Sequence, residues 1–257
     1  MSIPVDVVVM AAGKGTRMKS QLPKVLHRLG GRALAQHVID TAARLSARSV
    51  VVITGHGAER VEAGLQVPEG GTQLKYVRQA PQLGTGHAVQ QAAPVLPDDG
   101  VTLVLSGDVP LTRPETLQAL LDLCAGERMA LLTLDMPDPT GYGRIVRSGD
   151  GSVQAIVEHK DASEAQRAIT EIYSGIMAVP TRLLKGWLAR LDNQNAQGEY
   201  YLTDVVKFAV GDGLSVLAHR ITDAVQVAGV NSPLQLAELE RAHQRRVAEA
   251  LMEQGVR

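Results

Sequence analysis

A loop of small residues with two nearby cations is the part of the sequence best suited to bind phosphate. Residues 10–18 read M-A-A-G-K-G-T-R-M, directly after a short apolar run, and Pro23-Lys24 follows. Small residues leave the backbone bare, so consecutive N–H groups can surround phosphate oxygens as an anion nest. Arg17 can add a forked contact, and Lys24 a compact charge beside a reacting phosphorus. The bare positions are Ala11-Ala12-Gly13 and Gly15, and the loop residues expected to contact the substrate are Met10, Ala11, Ala12 and Gly13.

Two better-known glycine loops do not fit this segment. A Walker A loop needs G-x-x-x-x-G-K-[ST], and a dinucleotide fingerprint needs a third glycine, whereas Gly13-Lys14-Gly15 is followed by Met18. A tight turn with two ordinary surface cations is the remaining alternative. The small-residue run before the turn and the Pro-Lys pair after it favour the phosphate site.

A polar residue and a glycine-rich helix start form a second candidate contact for a nucleotide. Gln79 follows the third predicted strand, and Gly84-Thr85-Gly86 opens the next helix. A side-chain amide can read the edge of a base, and bare backbone amides at a helix start can contact it too. The alternative is a capped helix beside a surface glutamine. For His87 we expect a structural role.

Asp108 is the first candidate metal ligand. Ser106-Gly107-Asp108 ends the fourth predicted strand, which such a sheet places beside the first loop. Mg²⁺ prefers hard oxygen ligands and usually keeps several waters and substrate phosphates. The alternative, an N-cap for the following helix, is weakened because that helix is predicted to begin near Pro114. Asn231 alone would be interpreted as the N-cap of the final helix, although Ser232 could serve instead.

Strands and helices alternate in the first half of the chain, which predicts a parallel sheet covered on both faces. Continuous apolar runs such as Val5 to Met10 are typical of strands buried on both sides. The predicted strands are 5–10, 49–54, 74–77, 101–105 and 130–134, and the predicted helices are 34–45, 58–65, 86–95 and one from 114.

The pattern changes after about residue 140. Two apolar runs flank Ser148-Gly149-Asp150-Gly151, which strongly indicates a β-hairpin. The further predicted strands are 142–147, 153–157, 169–179, 214–218 and 225–227, and the predicted helices are 183–191, 200–210 and 233–253. We therefore expect a nucleotide-binding core at 1–135, a lobe at 136–228 that covers the acceptor, and a segment at 229–257 that contains the final long helix.

Composition excludes several classes of protein. The formal net charge is -1 and aromatic residues make up 3% of the chain, so neither a polyanion-binding surface nor a stacking platform for nucleic acid is expected. The single cysteine, Cys124, lies in an apolar helical pattern and is expected to be buried. The start of the chain has no signal-peptide pattern, and no apolar stretch is long enough to span a bilayer. These features predict a cytoplasmic protein without membrane contacts.

Taken together, the motifs resemble those of the sugar-1-phosphate nucleotidyltransferases. The resemblance is closest to the uridyltransferase (pyrophosphorylase) domain of the bacterial bifunctional N-acetylglucosamine-1-phosphate uridyltransferase/glucosamine-1-phosphate acetyltransferases. It runs in order through nearly the whole chain. Its segments are A-A-G-K-G-T-R-M with L-P-K-V-L, then 82–88, 107–111, 138–145, 156–162, 195–204 and 229–231.

This resemblance implies a fold and a set of site residues. The fold is α/β, a Rossmann-like mixed and mostly parallel sheet with helices on both faces, plus a smaller sugar-binding lobe. Gln79, Gly84 and Thr85 would bind uridine, while Asp108 and Asn231 would hold Mg²⁺. The further substrate contacts would be Ser106, Gly107, Gly143 and Glu158, with Tyr201 and Thr203 in the acceptor pocket and near its phosphate.

The implied reaction transfers UMP from UTP to N-acetylglucosamine-1-phosphate. Its products are UDP-N-acetylglucosamine, a precursor of peptidoglycan and lipopolysaccharide, and pyrophosphate. Arg17, Lys24 and Asp108 would be the catalytic residues. The alternatives are a transferase for another sugar phosphate or nucleotide, and a non-catalytic sensor of nucleotide sugars. A dinucleotide-dependent reductase fits poorly, because Thr54-Gly55-His56 follows the second strand where an acidic residue is wanted.

The sequence departs from the family pattern in three places. Tyr173 stands where an asparagine usually contacts the sugar, and Ser106 stands where a tyrosine is common. The hexapeptide repeats of the acetyltransferase β-helix are also absent from these 257 residues. We therefore expect either a truncated chain or a stand-alone form, and a homotrimer only where that β-helix is present.

Overall fold

The computed structural model describes residues 3–256, which form a large sheet with helices on both faces. The strands are β1 (Val5–Met10), β2 (Arg28–Leu29), β3 (Arg32–Ala33), β4 (Ser49–Thr54), β5 (Gln73–Arg78), β6 (Val101–Ser106), β7 (Met129–Asp135), β8 (Arg144–Arg147), β9 (Val153–Val157), β10 (Glu171–Pro180) and β11 (Val216–Ile221). The helices are α1 (Leu34–Arg44), α2 (Ala58–Gly64), α3 (Thr85–Ala92), α4 (Pro114–Cys124), α5 (Glu164–Arg167), α6 (Thr181–Leu188), α7 (Asp204–Gly211) and α8 (Pro233–Glu253).

The main sheet is mixed and mostly parallel, as predicted. Its strand order is β11-β7-β10-β6-β1-β4-β5, and β6, β1, β4 and β5 all run parallel. Strand β10 is antiparallel to both β6 and β7, while β11 is parallel to β7. Val7 and Val8 of β1 are both fully buried but belong to core clusters on opposite faces. Helices therefore cover both sides of the sheet, which explains the continuous apolar strands.

The predicted hairpin after residue 140 is confirmed. Strands β8 and β9 pair in antiparallel register, and β8 also pairs with β10 at Ile172 and Arg144. The β8–β9 hairpin is therefore joined to the main sheet through the pairing of β8 with β10. The turn is held by Asp150, whose carboxylate accepts hydrogen bonds from the Ser148 hydroxyl and the Ser152 backbone N–H. These bonds lower the pKa of Asp150 to about 2.

Two local predictions differ from the structure, and short elements such as the β2–β3 hairpin were not predicted. Residues 225–227 form part of a 3₁₀ helix, Ala224–Val227, and not a strand. The helix expected from residue 200 begins at Asp204, because the Tyr200 backbone instead bonds to Leu83 and Gly86 at 2.8 Å each. The short hairpin of β2 and β3 was not predicted, since two-residue strands leave almost no periodic pattern.

Helix α8 packs against the β2–β3 hairpin that follows the first loop. Ser232 is its N-cap and accepts a hydrogen bond from the Gln235 N–H, so Asn231 is released from that role. Glu240 accepts a hydrogen bond from the Gly30 N–H, and Arg246 donates to Asp223. The helix that follows Asn231 is therefore anchored at two positions along its length.

Cys124 is buried at the end of α4, as expected, and its thiol donates to the Arg128 carbonyl. Burial raises the pKa of this thiol. Within residues 3–256, no helix combines the length and apolar character that crossing a bilayer requires.

Candidate active site

The first loop lies at the carboxyl end of β1, where open α/β sheets bind their ligands. Ala11 N–H donates to the Ile53 carbonyl, and Gly107 N–H donates to the Met10 carbonyl, both at 2.9 Å. These bonds join the loop to the ends of β4 and β6. A cleft of about 330 Å³ opens beside it, lined by Met10, Ala11, Ala12, Gly13, Lys24, Val25, Gln79, Gln82, Gly84, Thr85, Ala88, Ser106, Asp108 and Glu199.

A larger groove of about 670 Å³ lies at the opposite edge of the sheet, lined by Pro4, Arg48 and Val101 among others. Pro4 precedes β1, and Val101 begins β6, so this groove faces the amino ends of the strands. Arg48 is committed there to ion pairs with Asp6 and Asp99. Ligand sites of this sheet type lie at the other end, so the smaller cleft is the better candidate.

Gly15 lets the loop close onto Lys24. Its φ is +61°, in the left-handed region, and a Cβ there would lie 2.7 Å from the Cβ of Lys24. Real Cβ atoms do not approach that closely, so a side chain at this position would displace Lys24 or the loop. The glycine is therefore needed for both the conformation and the contact.

Gly15→Ala is expected to destabilise the protein by about 1–2 kcal/mol, because the left-handed backbone conformation of this position is unfavourable for alanine. The added Cβ also pushes against Lys24. Gly13→Ala is the matched control, since nothing lies within 4 Å of a Cβ at that position. Urea unfolding of both variants measures the difference. Equal free energies of unfolding for the two variants would contradict this account of Gly15.

Lys24, Asp108 and Asn231 meet at one point of the cleft edge. Lys24 Nζ lies 2.6 Å from Asp108 Oδ2 and 3.1 Å from Asn231 Oδ1. The Lys24 and Asp108 side chains are only 16% and 17% exposed. The Val230 N–H donates to the Asp108 carbonyl at 2.9 Å, which holds the two segments together. Asp108 and Asn231 are 84 and 207 positions away from Lys24 in the sequence. The fold therefore brings three distant side chains into one cluster.

The donor atoms of this cluster suit a hard divalent cation. Asp108 Oδ2 and Asn231 Oδ1 both lie within 3.1 Å of one nitrogen, so they converge on a common point. Within the described part of the chain, no group of three or more His, Cys, Asp or Glu side chains could hold a metal ion. Mg²⁺ can be held by as few as two protein ligands, because waters and substrate phosphates serve as its other ligands.

The second candidate contact, around Gln79, is also assembled beside the cleft. Gln79 is buried, and its Nε2 donates to the Gly84 carbonyl at 2.9 Å and lies 3.2 Å from His87 Nδ1. The Thr85 hydroxyl accepts a hydrogen bond from the Leu202 N–H. Gly84 has φ +109°, and a Cβ there would lie 2.6 Å from the Tyr200 carbonyl. The 199–202 segment is thus packed directly against the start of α3.

Gly143, Glu158 and Thr203 form a second polar group at the ends of β8 and β9. The Thr203 hydroxyl donates to Glu158 Oε1 at 3.0 Å, and a Cβ at Gly143 would lie 3.7 Å from that same oxygen. Burial raises the pKa of Glu158, although the Thr203 bond opposes the shift. The 199–203 segment connects this group to the cleft, since Leu202 bonds to Thr85.

Three of the predicted site residues lie differently from the rest. Arg17 is exposed on the 3₁₀ turn Thr16–Met18 and lies outside the set lining the cleft. Gly107 is buried beneath the first loop and contacts it through its backbone. The Tyr201 hydroxyl donates to Asp161 and accepts from Gln197, so it holds the lobe's own loops together. Mainly through burial, the pKa of Tyr201 is raised to about 12.

Sequence reasoning missed two polar residues that line the cleft, Gln82 and Glu199. Both lie inside motifs that had been noted, at 82–88 and 195–204, but no spacing rule singled them out. A Cβ at Gly55 would lie 2.8 Å from Gln82 Nε2, so that glycine leaves room for the amide at the cleft.

Comparison with known proteins gives three findings. Residues 7–171 match the family described as "MobA-like NTP transferase domain". The chain is 74% identical over 260 residues to "Bifunctional protein GlmU" of Polaromonas naphthalenivorans (strain CJ2), covering 99% of this chain and 55% of that protein. It is 54% identical over 256 residues to the protein of the same name from Alkalilimnicola ehrlichii, covering 100% of this chain and 54% of the other. The chain therefore spans about half the length of the curated relatives it matches.

A solved structure has the same fold. It is described as the crystal structure of UDP-glucose pyrophosphorylase complexed with UDP-glucose. The TM-score is 0.74 with 16% sequence identity, over 95% of this chain and 100% of the other. At that identity the likeness concerns the fold alone, which confirms the predicted sheet architecture.

Proposed function

The chain belongs to the MobA-like NTP transferase family, and from this premise we propose that it transfers UMP from UTP to N-acetylglucosamine-1-phosphate. The products are UDP-N-acetylglucosamine and pyrophosphate. The relatives that match 98–100% of this chain at 54–74% identity carry the name of a bifunctional protein, which supports the assignment to that group of enzymes. The product would serve peptidoglycan and lipopolysaccharide synthesis in the cytoplasm.

One observation carries this proposal: a cation, a carboxylate and an amide oxygen converge beside a bare backbone loop. Lys24 Nζ lies within 3.1 Å of both Asp108 and Asn231, and residues Met10, Ala11, Ala12 and Gly13 line the same cleft. A triphosphate needs several positive partners close together, and Mg²⁺ is the natural further one. Asp108 and Asn231 would hold Mg²⁺, which neutralises charge on the phosphates.

The reaction needs positioning more than it needs a nucleophilic side chain. An oxygen of the ionised sugar phosphate attacks the α-phosphorus of UTP, and the bond from that phosphorus to the bridging oxygen of pyrophosphate breaks. Because the attacking oxygen is already charged, no general base is required. Lys24, Arg17 and the loop N–H groups would offset the repulsion between the two anions and stabilise charge at the transferring group.

The polar group around Gln79 and the polar group around Glu158 would bind different parts of the two substrates. Gln79, Gly84 and Thr85 would bind the uridine, beside a loop that binds the phosphates. Gly143, Glu158 and Thr203 would bind the sugar, and the 199–203 segment joins the two places. We assign 1–135 to the nucleotide-binding core, 136–228 to the sugar-binding lobe and 229–257 to the metal-ligand segment and its helix.

A panel of substrates tests this function. Pyrophosphate release is expected to be fastest with UTP and N-acetylglucosamine-1-phosphate, slower with dTTP or glucose-1-phosphate, and lost when EDTA removes the divalent ion. Faster release from another pair would reassign the substrate within the same reaction class. No release from any pair, from a folded protein that binds nucleotide sugars, would identify a non-catalytic sensor instead.

A further inference from the structure

The side-chain amide of Gln79 presents its oxygen, and not its nitrogen, to the cleft. Its Nε2 lies 2.9 Å from the Gly84 carbonyl oxygen, which can only accept, so the NH₂ group is on the Gly84 side. Gln79 is only 3% exposed, yet it lines the cleft. Within residues 3–256 no donor reaches its Oε1, and that atom is not enclosed, so it faces the cleft. A ligand in the cleft therefore meets a hydrogen-bond acceptor at this position.

Both amide hydrogens of Gln79 have acceptors inside the protein. The Gly84 carbonyl that accepts one of them is fixed by α3, since it also accepts the Ala88 N–H at 3.1 Å. The other hydrogen faces His87 Nδ1, which lies 3.2 Å from Gln79 Nε2. A ring nitrogen that accepts this hydrogen bond carries no proton, so the ring proton of His87 is on Nε2. Gly84 and His87 therefore hold the amide in the same orientation.

His87 and Gln79 are both fixed relative to the sheet. The backbone N–H of Gln79 donates to the Thr54 carbonyl at the end of β4, at 2.8 Å. His87 lies in the first turn of α3, where the Gly86 N–H donates to the Tyr200 carbonyl, also at 2.8 Å. The rings of His87 and Tyr200 lie 6.2 Å apart between centroids, with an angle of 37° between their planes. With these supports in place, the orientation of the amide depends on its two acceptors.

We propose that His87 is a positioning residue that selects uracil over cytosine by holding Gln79 Oε1 towards the base. This inference rests on the proposed function, in which Gln79 contacts the uridine. Uracil has an N3–H donor on its pairing edge, whereas the N3 of cytosine carries no proton and can only accept. Gln79 Oε1 accepts a hydrogen bond from the first base and repels the second. The opposite orientation of the amide reverses this preference, so the hydrogen bond to His87 contributes to the selectivity.

Binding of UDP and CDP in the presence of Mg²⁺, measured by calorimetry, tests this role. In His87→Leu the second amide hydrogen loses its acceptor, so the preference for UDP over CDP is expected to fall about 3- to 10-fold. UDP should bind more weakly to that variant and CDP more tightly. His87→Asn should keep the wild-type preference within about twofold, since an asparagine Oδ1 can take the place of Nδ1. His219→Leu is the matched control, because His219 is also half-buried but lies on β11 at the opposite edge of the sheet.

Two results with the variants would overturn the role of His87. Equal weakening of UDP and CDP in His87→Leu would show that the ring only supports the fold around α3. An unchanged ratio would show that the Gly84 carbonyl holds the amide alone. In either case recovery of the ratio by His87→Asn has no meaning, so the leucine variant decides.

Two measurements on the wild type judge the proposal even where His87→Leu does not fold. UDP methylated at N3 of the base should bind at least about 10-fold more weakly than UDP, because it lacks the donor for Gln79. Nitrogen-15 NMR of the UDP complex should place the His87 proton on Nε2. Equal binding of the methylated nucleotide, or a proton on Nδ1, would overturn the proposal. Failure to turn over UTP and N-acetylglucosamine-1-phosphate, with UDP still preferred to CDP, would overturn the proposed function alone.

Discussion

Replacing Lys24 by alanine is expected to lower kcat by about 100- to 1,000-fold, the usual effect of losing one charged stabiliser of a transition state. Lys24 is held by the 3₁₀ turn Lys24–Leu26 on one side and by the close approach of Gly15 on the other. Its ammonium lies at the edge of the cleft, where the proposed reaction would develop charge on the transferring phosphoryl group. Alanine leaves that charge unopposed.

The variant should remain folded, because it loses one partly buried ion pair and one hydrogen bond, to Asn231, at the edge of the cleft. Lys19→Ala is the control, since Lys19 is an exposed cation on the neighbouring turn and should retain nearly full activity. Lys24→Arg tests geometry, because a planar guanidinium is not equivalent to a compact ammonium. Single-turnover rates and circular dichroism measure the two properties separately. Near-normal turnover by folded Lys24→Ala would remove Lys24 from the mechanism.

The parts of the site that follow a strand could be predicted from local sequence. The first loop and Asp108 each end an apolar run, and parallel strands bring such ends to one edge of the sheet. Long periodic elements were also predictable, and α8 was placed at 233–253 as found. In these cases the local pattern agrees with the tertiary structure, because the apolar residues that produce the pattern are the ones that the fold buries.

Residues whose role depends on distant contacts could not be predicted in this way. From its neighbours alone, Asn231 is indistinguishable from a helix cap. In the structure Ser232 is the cap, and the Val230–Asp108 bond holds the segment where the Asn231 oxygen reaches Lys24. Tyr200 belongs to a helical pattern, yet its backbone pairs with residues 83 and 86. Such pairings are set by packing between lobes, which leaves no periodic signal in the sequence.

Tyr173 is a second residue whose environment could not be predicted from the sequence. The sequence shows only that a tyrosine stands where the family usually has asparagine. The Tyr173 hydroxyl is buried and has no hydrogen-bond partner among residues 3–256, and Gly143 lies between Tyr173 and Glu158 in the register of three strands. The departure from the family pattern was visible, but its physical consequence required the pairing of β8, β9 and β10.

Asp108→Asn is expected to have the second large effect, a loss in kcat of about 100-fold or more, by removing the only charge among the two proposed protein ligands of Mg²⁺. The change keeps the shape of the side chain, so the fold should persist. Asp122→Asn is the control, because Asp122 is an exposed carboxylate on α4 whose hydrogen bond is to Gln118. Activity measured across a Mg²⁺ titration should shift to higher concentrations only in the Asp108 variant.

Direct binding of the ion separates the roles of Asp108 and Lys24. Lys24 Nζ now contacts the Asp108 and Asn231 oxygens that would hold the ion, so an ammonium and a divalent cation compete for them. Asp108→Asn should therefore weaken binding of Mn²⁺, used as a paramagnetic probe, whereas Lys24→Ala should not weaken it. If both variants lost the ion equally, Lys24 would be required to build the metal site. If neither did, Asp108 would not be a ligand, and its carboxylate would act only by orienting Lys24.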